Sequence, residues 1–151
     1  MKDRISHEGM DEILKKLEDD YIKAVKENES RSVEEFVEQF LYDSWTYNDE
    51  NIQNIKTVLS RYSTGEVYST TFIGAFNEMV DHLRVKLQEL DAEQAYPALH
   101  NQHGASFLVA FVDGMVIQYF IGVYTVEQLK EMTPYLKQVI LQALQTEAGG
   151  Q

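Results

Sequence analysis

Apolar side chains recur at helical spacing along most of the chain. Between Gly9 and Glu27 they follow steps of three and four residues, which form the apolar stripe of an amphipathic helix. Similar stripes follow, and no run forms a convincing strand. The spacing predicts five amphipathic helices, over residues 9–27, 33–47, 52–62, 66–91 and 126–144.

A further helix is predicted from near Gly104, in the segment Ala105 to Tyr124, which is nearly all apolar. The segment is long enough to cross a bilayer, but Asp113 lies at its middle and no Lys or Arg closely flanks it. A central Asp costs about 2.5–3.5 kcal/mol on insertion. We therefore expect a buried helix, and because it is apolar nearly all round, protein must cover most of its sides.

Polar residues mark several helix starts. Ser32 with Glu35, and Thr125 with Gln128, have the spacing of a capping box. Asn48 is a suitable cap for the short helix that follows it.

Proline marks two further features of the chain. Thr133 can cap a fresh helix with Pro134 at its first position, so we expect a kink or break there. Residues 92–103, which include Pro97, lack periodicity and are predicted to form a loop. The prediction for the fold is therefore all-α, with about six helices.

Composition narrows the classes of partner. With 13 basic and 25 acidic residues the net charge is −12, and the basic residues are scattered rather than clustered. Binding of nucleic acid by electrostatics, or of anionic membranes, is therefore not expected. The chain has no cysteine, hence no disulfide or thiolate metal site. No secretory signal follows Met1, so a cytoplasmic location is expected.

Catalytic and metal-binding motifs are absent from the sequence. There is no nucleophile elbow, phosphate-binding glycine loop or zinc-binding His motif. His100 and His103 are three residues apart, but two imidazoles without neighbouring carboxylates make a poor metal site. We therefore expect no enzyme activity, no cofactor and no metal.

The order of elements in the C-terminal third forms a recognisable pattern. An apolar helix with Asp113 and Gly114 at its middle is followed by a short loop, and then by a last helix with Leu136, Ile140 and Leu144 at regular spacing. This pattern resembles the ligand-binding half of the TetR family of bacterial transcription regulators. The order of the earlier helices also fits that family.

The resemblance implies a cavity for an apolar or aromatic small molecule, between helices centred near Phe40, Leu59, Phe76 and Phe111. Aromatic residues on these helices fit either the core or a cavity wall. The predicted ligand-binding residues are Tyr42, Trp45, Tyr62, Phe72, Phe76, Met79, His82, His103, Phe107 and Phe111.

A homodimer is expected on two grounds. In the family, the last two helices form half of a four-helix bundle between two subunits. The second ground is that one subunit has too few other helices to cover two such apolar helices, although a monomer that encloses its central helix remains an alternative. The predicted interface residues are Val112, Met115, Val116, Tyr119, Leu129, Leu136, Val139, Ile140 and Ala143.

The front of the chain departs from the family pattern. TetR regulators bind DNA through a three-helix N-terminal domain containing a helix-turn-helix, for which this chain has no room. Only Lys2, Asp3 and Arg4 match the stretch that closes that domain. The expected organisation is a boundary remnant at residues 1–8, a ligand-binding and dimerisation domain at 9–145, and a flexible tail at 146–151.

The predicted function is small-molecule sensing and dimerisation in a TetR-like regulator, with DNA bound only through the missing domain. The implied mechanism is a shift in the relative orientation of two subunits when ligand binds. The alternatives are a headless dimeric small-molecule-binding protein and an enzyme working in a helical pocket.

Overall fold

The computed structural model describes residues 7–63, 69–101 and 103–147. Within these ranges there are six α-helices, one short 3₁₀ helix and no strand, which confirms the all-α prediction. The helices are α1 (His7–Glu27), α2 (Val33–Glu50), α3 (Ile52–Ser63), α4 (Ser69–Leu90), α5 (Gly104–Phe120) and α6 (Val126–Leu144), and the 3₁₀ helix is Pro97–His100.

The two most extensive helix pairs are α2 with α6 and α1 with α4. Helix α5 contacts α2, α4 and α6, and the 3₁₀ helix packs against α4, α5 and α6. The fully buried side chains at these contacts include Phe36, Leu41, Leu87, Leu108 and Ile140. A smaller apolar cluster joins α1 to α3 through Leu14 and Val58.

Two glycines set the limits of α5. At its start, a Cβ on Gly104 would overlap the carbonyl oxygen of Ala98, so only glycine allows the helix to approach the 3₁₀ helix this closely. At its end, Gly122 has φ +89° and its N–H donates to the carbonyl of Tyr119, while Val123 donates to Gln118. This is the Schellman pattern of helix termination. It ends α5 at Phe120, four residues before the end of the apolar segment.

Two predicted caps are present. The Ser32 hydroxyl accepts from the Glu35 N–H, although the Glu35 carboxylate accepts from the Arg31 N–H rather than closing the box on Ser32. Thr125 and Gln128 form a complete capping box.

Two predicted boundaries are wrong. Asn48 lies inside α2, where its side-chain amide donates to the carbonyl of Ser44, and α2 continues to Glu50. Helix α6 runs without a break through Pro134. Thr133 does not cap a new helix, because its hydroxyl is buried and donates to the Leu129 carbonyl one turn earlier.

Other expectations concern the ends of the chain and the membrane. Lys2, Asp3 and Arg4, and most of the predicted tail, lie outside the described residues. Within the described ranges, no helix combines the length and apolarity that a membrane span requires.

Candidate functional site

A cavity of about 550 Å³ lies among helices α1 to α5. Its walls are mainly aliphatic and aromatic side chains, contributed by all five helices. This volume is within the range of small-molecule sites, which are apolar clefts with a few polar groups. Of the positions around which the resemblance centred a cavity, Phe40, Leu59 and Phe76 line this one and Phe111 does not.

Asp113 brings a carboxyl group to the α5 wall of the cavity. Its neighbours along this wall are Val109, Val112, Val116 and Ile117. No described residue forms a hydrogen bond or ion pair with Asp113. Although solvent reaches this side chain, its apolar surroundings disfavour the charged form and raise the pKa of the carboxyl to about 6.

Tyr21 supplies a second polar group from α1. Its ring packs edge-on against Phe40, with ring centroids 5.9 Å apart. Its hydroxyl oxygen is buried and has no hydrogen-bond partner among the described residues. Burial raises the pKa of this hydroxyl, and the negative charge of Asp113 raises it further. Tyr21 and Asp113 thus line the same cavity, one from α1 and the other from α5.

Of the remaining carboxylates of the lining, Glu18, Asp20 and Asp43 have partners among the described residues, and Glu50 at the end of α2 is exposed. Asp20 accepts from Lys16 at 2.6 Å and from the Tyr47 hydroxyl at 2.8 Å, and these bonds lower the pKa of Asp20. Glu18 is 8% exposed, and burial raises its pKa, with a hydrogen bond to Glu78 adding to the effect.

The described residues of the lining carry no positive charge. They include no Lys, Arg or His, whereas Asp and Glu occur on α1, α2 and α5. The site therefore combines an apolar body with neutral polar groups and acidic groups.

Two of the ten predicted ligand-binding residues line the cavity, and six others whose side chains the structure describes do not. Phe76 and Met79 line it, whereas Tyr42 is half-buried against the core without lining it. Trp45 is 1% exposed and its indole N–H donates to the Thr133 hydroxyl at 2.9 Å, between α2 and α6.

Four more of these predicted residues, on α4 and at α5, do not line the cavity either. His103 is exposed at the N-terminus of α5. His82 is half-buried on α4, and the rings of Phe107 and Phe111 pack against each other on α5. The side chains of Tyr62 and Phe72 lie outside the part of the chain that the structure describes.

The predicted interface residues divide by exposure. Five of them are buried within a single copy of the chain, and they are Val112, Val116, Leu129, Leu136 and Ile140. Met115 and Ala143 are half-buried, as is Tyr119, whose hydroxyl donates to Asp49. Val139 is 37% exposed.

The polar residues of the site were missed from the sequence. Tyr21 falls on the apolar stripe of α1 and has the pattern of a core residue. Asp113 has a clear signal, as the single charged residue in the most apolar helix, but in the sequence it argues against a membrane span and contributes to the family resemblance, and neither argument places it in a cavity.

The two histidines with helical spacing do not form a metal site. His100 Nε2 lies 2.9 Å from Asp91 Oδ2, and Asp91 also accepts from the N–H groups of Ala95 and Tyr96. This network joins the end of α4 to the 3₁₀ helix. No group of three or more potential metal ligands occurs among the described residues.

Comparison with known proteins gives no family for this chain. No protein-family model matches the sequence, and no curated protein or solved structure matches it at a significant level. Functional inference therefore depends on the geometry of the cavity.

Proposed function

We propose that this chain is the small-molecule-binding and dimerisation part of a TetR-like transcription regulator. The observation that supports this most directly is the cavity of about 550 Å³ among α1 to α5. The space is lined mainly by apolar side chains, and two polar residues that also line it, Tyr21 and Asp113, have no hydrogen-bond partner among the described residues. Protein interiors are otherwise close-packed, so a space of this size favours a ligand site.

The proposed dimer uses the apolar side chains that one copy leaves exposed on α5 and α6. On α5 and the turn after it, Phe107 is 37% and Ile121 72% exposed, and Ile117, which also lines the cavity, is 49% exposed. On α6, Tyr135 is 67% exposed, next to Val139. Pairing these two helices with their copies by a two-fold axis would bury the side chains in an isologous interface.

The proposed mechanism links the cavity to the interface through α5. This helix lines the cavity with Val112, Asp113 and Val116, and it also carries the exposed side chains of the proposed interface. A ligand that binds one packing of α5 better than another would shift the relative orientation of two subunits. In a regulator of this kind, that orientation sets the spacing of the DNA-binding domains.

Ligand binding can be tested with the neutral fluorescent dye Nile red. We expect saturable binding at one site per chain, and a loss of affinity of about tenfold or more in Ala24→Phe, because Ala24 is an exposed lining residue and a phenylalanine ring there would reduce the space for the dye. Ala92→Phe is the matched control, since Ala92 is exposed in the turn after α4 and does not line the cavity. Binding that does not saturate, or that responds equally to both variants, would refute the cavity proposal.

Dimerisation is tested by light scattering. We expect a solution mass near twice the 17.5 kDa of one chain. Small-angle scattering of that dimer should change when Nile red is added. A monomer, or a dimer with an unchanged scattering curve, would contradict the regulatory part of the proposal while leaving ligand binding in place.

A further inference from the structure

The charges around the cavity restrict the class of ligand that it can accept. Acidic residues line the cavity on α1, α2 and α5, and no described lining residue is basic. An anionic ligand would meet several carboxylates, and two described lysines beside the lining already have partners: Lys16 pairs with Asp20, and Lys56 Nζ lies over the Phe120 ring, 5.9 Å from its centroid. The net charge of −12 on the whole chain acts in the same direction, since it attracts cations and repels anions.

Asp113 differs from the other acidic groups of the lining. Asp20 is already paired with Lys16 and Tyr47, and Glu18 shares a hydrogen bond with Glu78. Asp113 has no partner among the described residues and lies between the apolar side chains of Val109, Val112 and Val116. A carboxylate in such surroundings gains most from a cation that enters the cavity and pairs with it.

Tyr21 gives an independent indication that a polar ligand group belongs at this place. Its hydroxyl is buried and has no hydrogen-bond partner among the described residues, and Tyr21 lines the same cavity as Asp113. A buried hydroxyl without a hydrogen bond is costly, and native proteins rarely leave one. The hydroxyl oxygen can accept a hydrogen bond from the same positively charged group that pairs with Asp113.

Aromatic rings complete the environment that a cation with an apolar body requires. Phe36, Phe40, Phe76 and Phe120 line the cavity together with Tyr21. Aromatic faces attract positive charge through their quadrupole, and they also bury apolar surface.

We propose that the cavity binds an apolar or aromatic molecule with one positive charge, such as an arylalkylamine, and that Asp113 and Tyr21 hold the charged group. This inference rests on the proposed ligand-binding function and specifies its ligand class. The aromatic body of the molecule lies among the phenylalanine side chains. Its ammonium group donates to the Asp113 carboxylate and to the Tyr21 hydroxyl.

The test uses three probes with the same naphthalene ring and similar short arms: naphthylethylamine, naphthylethanol and naphthylacetate. They carry a positive charge, no charge and a negative charge at neutral pH. Isothermal titration calorimetry on the wild-type chain should rank the amine at least about tenfold tighter than the alcohol, and the acetate weakest. This ranking needs no variant.

Two variants then assign the charged contact. Asp113→Asn should weaken binding of the amine by about tenfold or more and leave the alcohol within about threefold, since only the ion pair is lost. Tyr21→Phe should weaken the amine by a smaller factor. Glu89→Gln is the control, because it removes one negative charge from an exposed position on α4 that does not line the cavity.

The possible failures are distinguishable. If the three probes bind wild type equally, or if Asp113→Asn and Glu89→Gln have the same effect on the amine, the cation inference is wrong and the cavity proposal stands. If none of the probes binds and Nile red does not bind either, the proposed function itself fails.

Discussion

The hydrogen bond between Trp45 and Thr133 allows a quantitative test of how α2 and α6 are joined. The indole N–H of Trp45 donates to the Thr133 hydroxyl at 2.9 Å, and that hydroxyl donates to the Leu129 carbonyl at 2.7 Å. Both side chains are almost fully buried. Thr133→Val keeps the shape and the β-branch of the side chain but removes the acceptor, so it leaves the indole N–H buried without a partner.

The expected cost follows from two opposing terms. A buried donor without an acceptor costs about 1–3 kcal/mol. The added methyl group returns up to about 0.8 kcal/mol of hydrophobic stabilisation. We therefore expect Thr133→Val to lower the free energy of unfolding by about 1–2 kcal/mol, which for a chain of this length lowers Tm by about 2–8 °C.

A double-mutant cycle separates the hydrogen bond from other effects of the substitution. Urea denaturation followed by circular dichroism gives the free energy of unfolding for wild type, Thr133→Val, Trp45→Phe and the double variant, all at one protein concentration. In the Trp45→Phe background no indole donor remains, so Thr133→Val should be neutral or stabilising. The coupling free energy should then be about 1–2 kcal/mol. An equal cost of Thr133→Val in both backgrounds would refute this account of the α2–α6 contact.

Two further predictions concern α5. Gly104→Ala should lower the free energy of unfolding by about 1–3 kcal/mol, because its Cβ would overlap the backbone of Ala98. Gly114→Ala on the same helix is the control, because a Cβ there meets nothing within 4 Å, and it should raise the free energy of unfolding by about 0.5–1 kcal/mol. Similar effects of the two substitutions in urea denaturation would contradict the close approach of Gly104 to Ala98. The raised pKa of Asp113 means that the folded chain binds the proton more tightly than the unfolded chain, so this residue makes stability fall as pH rises from about 4 to about 6. Asp113→Asn should therefore be more stable than wild type above pH 6, by less than about 1 kcal/mol because solvent partly screens the carboxylate, and the difference should shrink towards pH 4. A difference that does not change with pH would show that the charge of Asp113 is not its source.

The helices could be predicted from sequence because their signals are local. The spacing of apolar residues located five of them, the nearly continuous apolar run located α5, and the side chains of Ser32 and Thr125 marked two starts. Pro134 is a position at which the local signal gave a wrong prediction. A missing N–H at that position predicted a break, but Thr133 is held by Trp45, which is distant in sequence, and α6 continues. That contact depends on the tertiary packing of α2 against α6.

The site was harder to predict because core and cavity use the same kinds of side chain. On α2, Phe40 lines the cavity and Leu41 is buried in the core, although both belong to one apolar pattern. Which of them faces an open space depends on how closely five helices approach one another. The environment of the polar residues depends on this packing as well. Tyr21 has no hydrogen-bond partner among the described residues because of where α1 packs against its neighbours.

The position of Trp45 has a practical consequence for following signals through the protein. It is the single tryptophan of the chain, and it lies between Ser44 and Thr46, which line the cavity, while its own indole is directed to α6. The fluorescence emission of Trp45 therefore reports on the α2–α6 contact and not on direct contact with a ligand. If the ligand neither absorbs nor emits in the indole band, a change in the tryptophan emission on binding indicates that the α2–α6 contact has rearranged. The chain thus contains its own optical reporter for distinguishing simple occupancy from a conformational response.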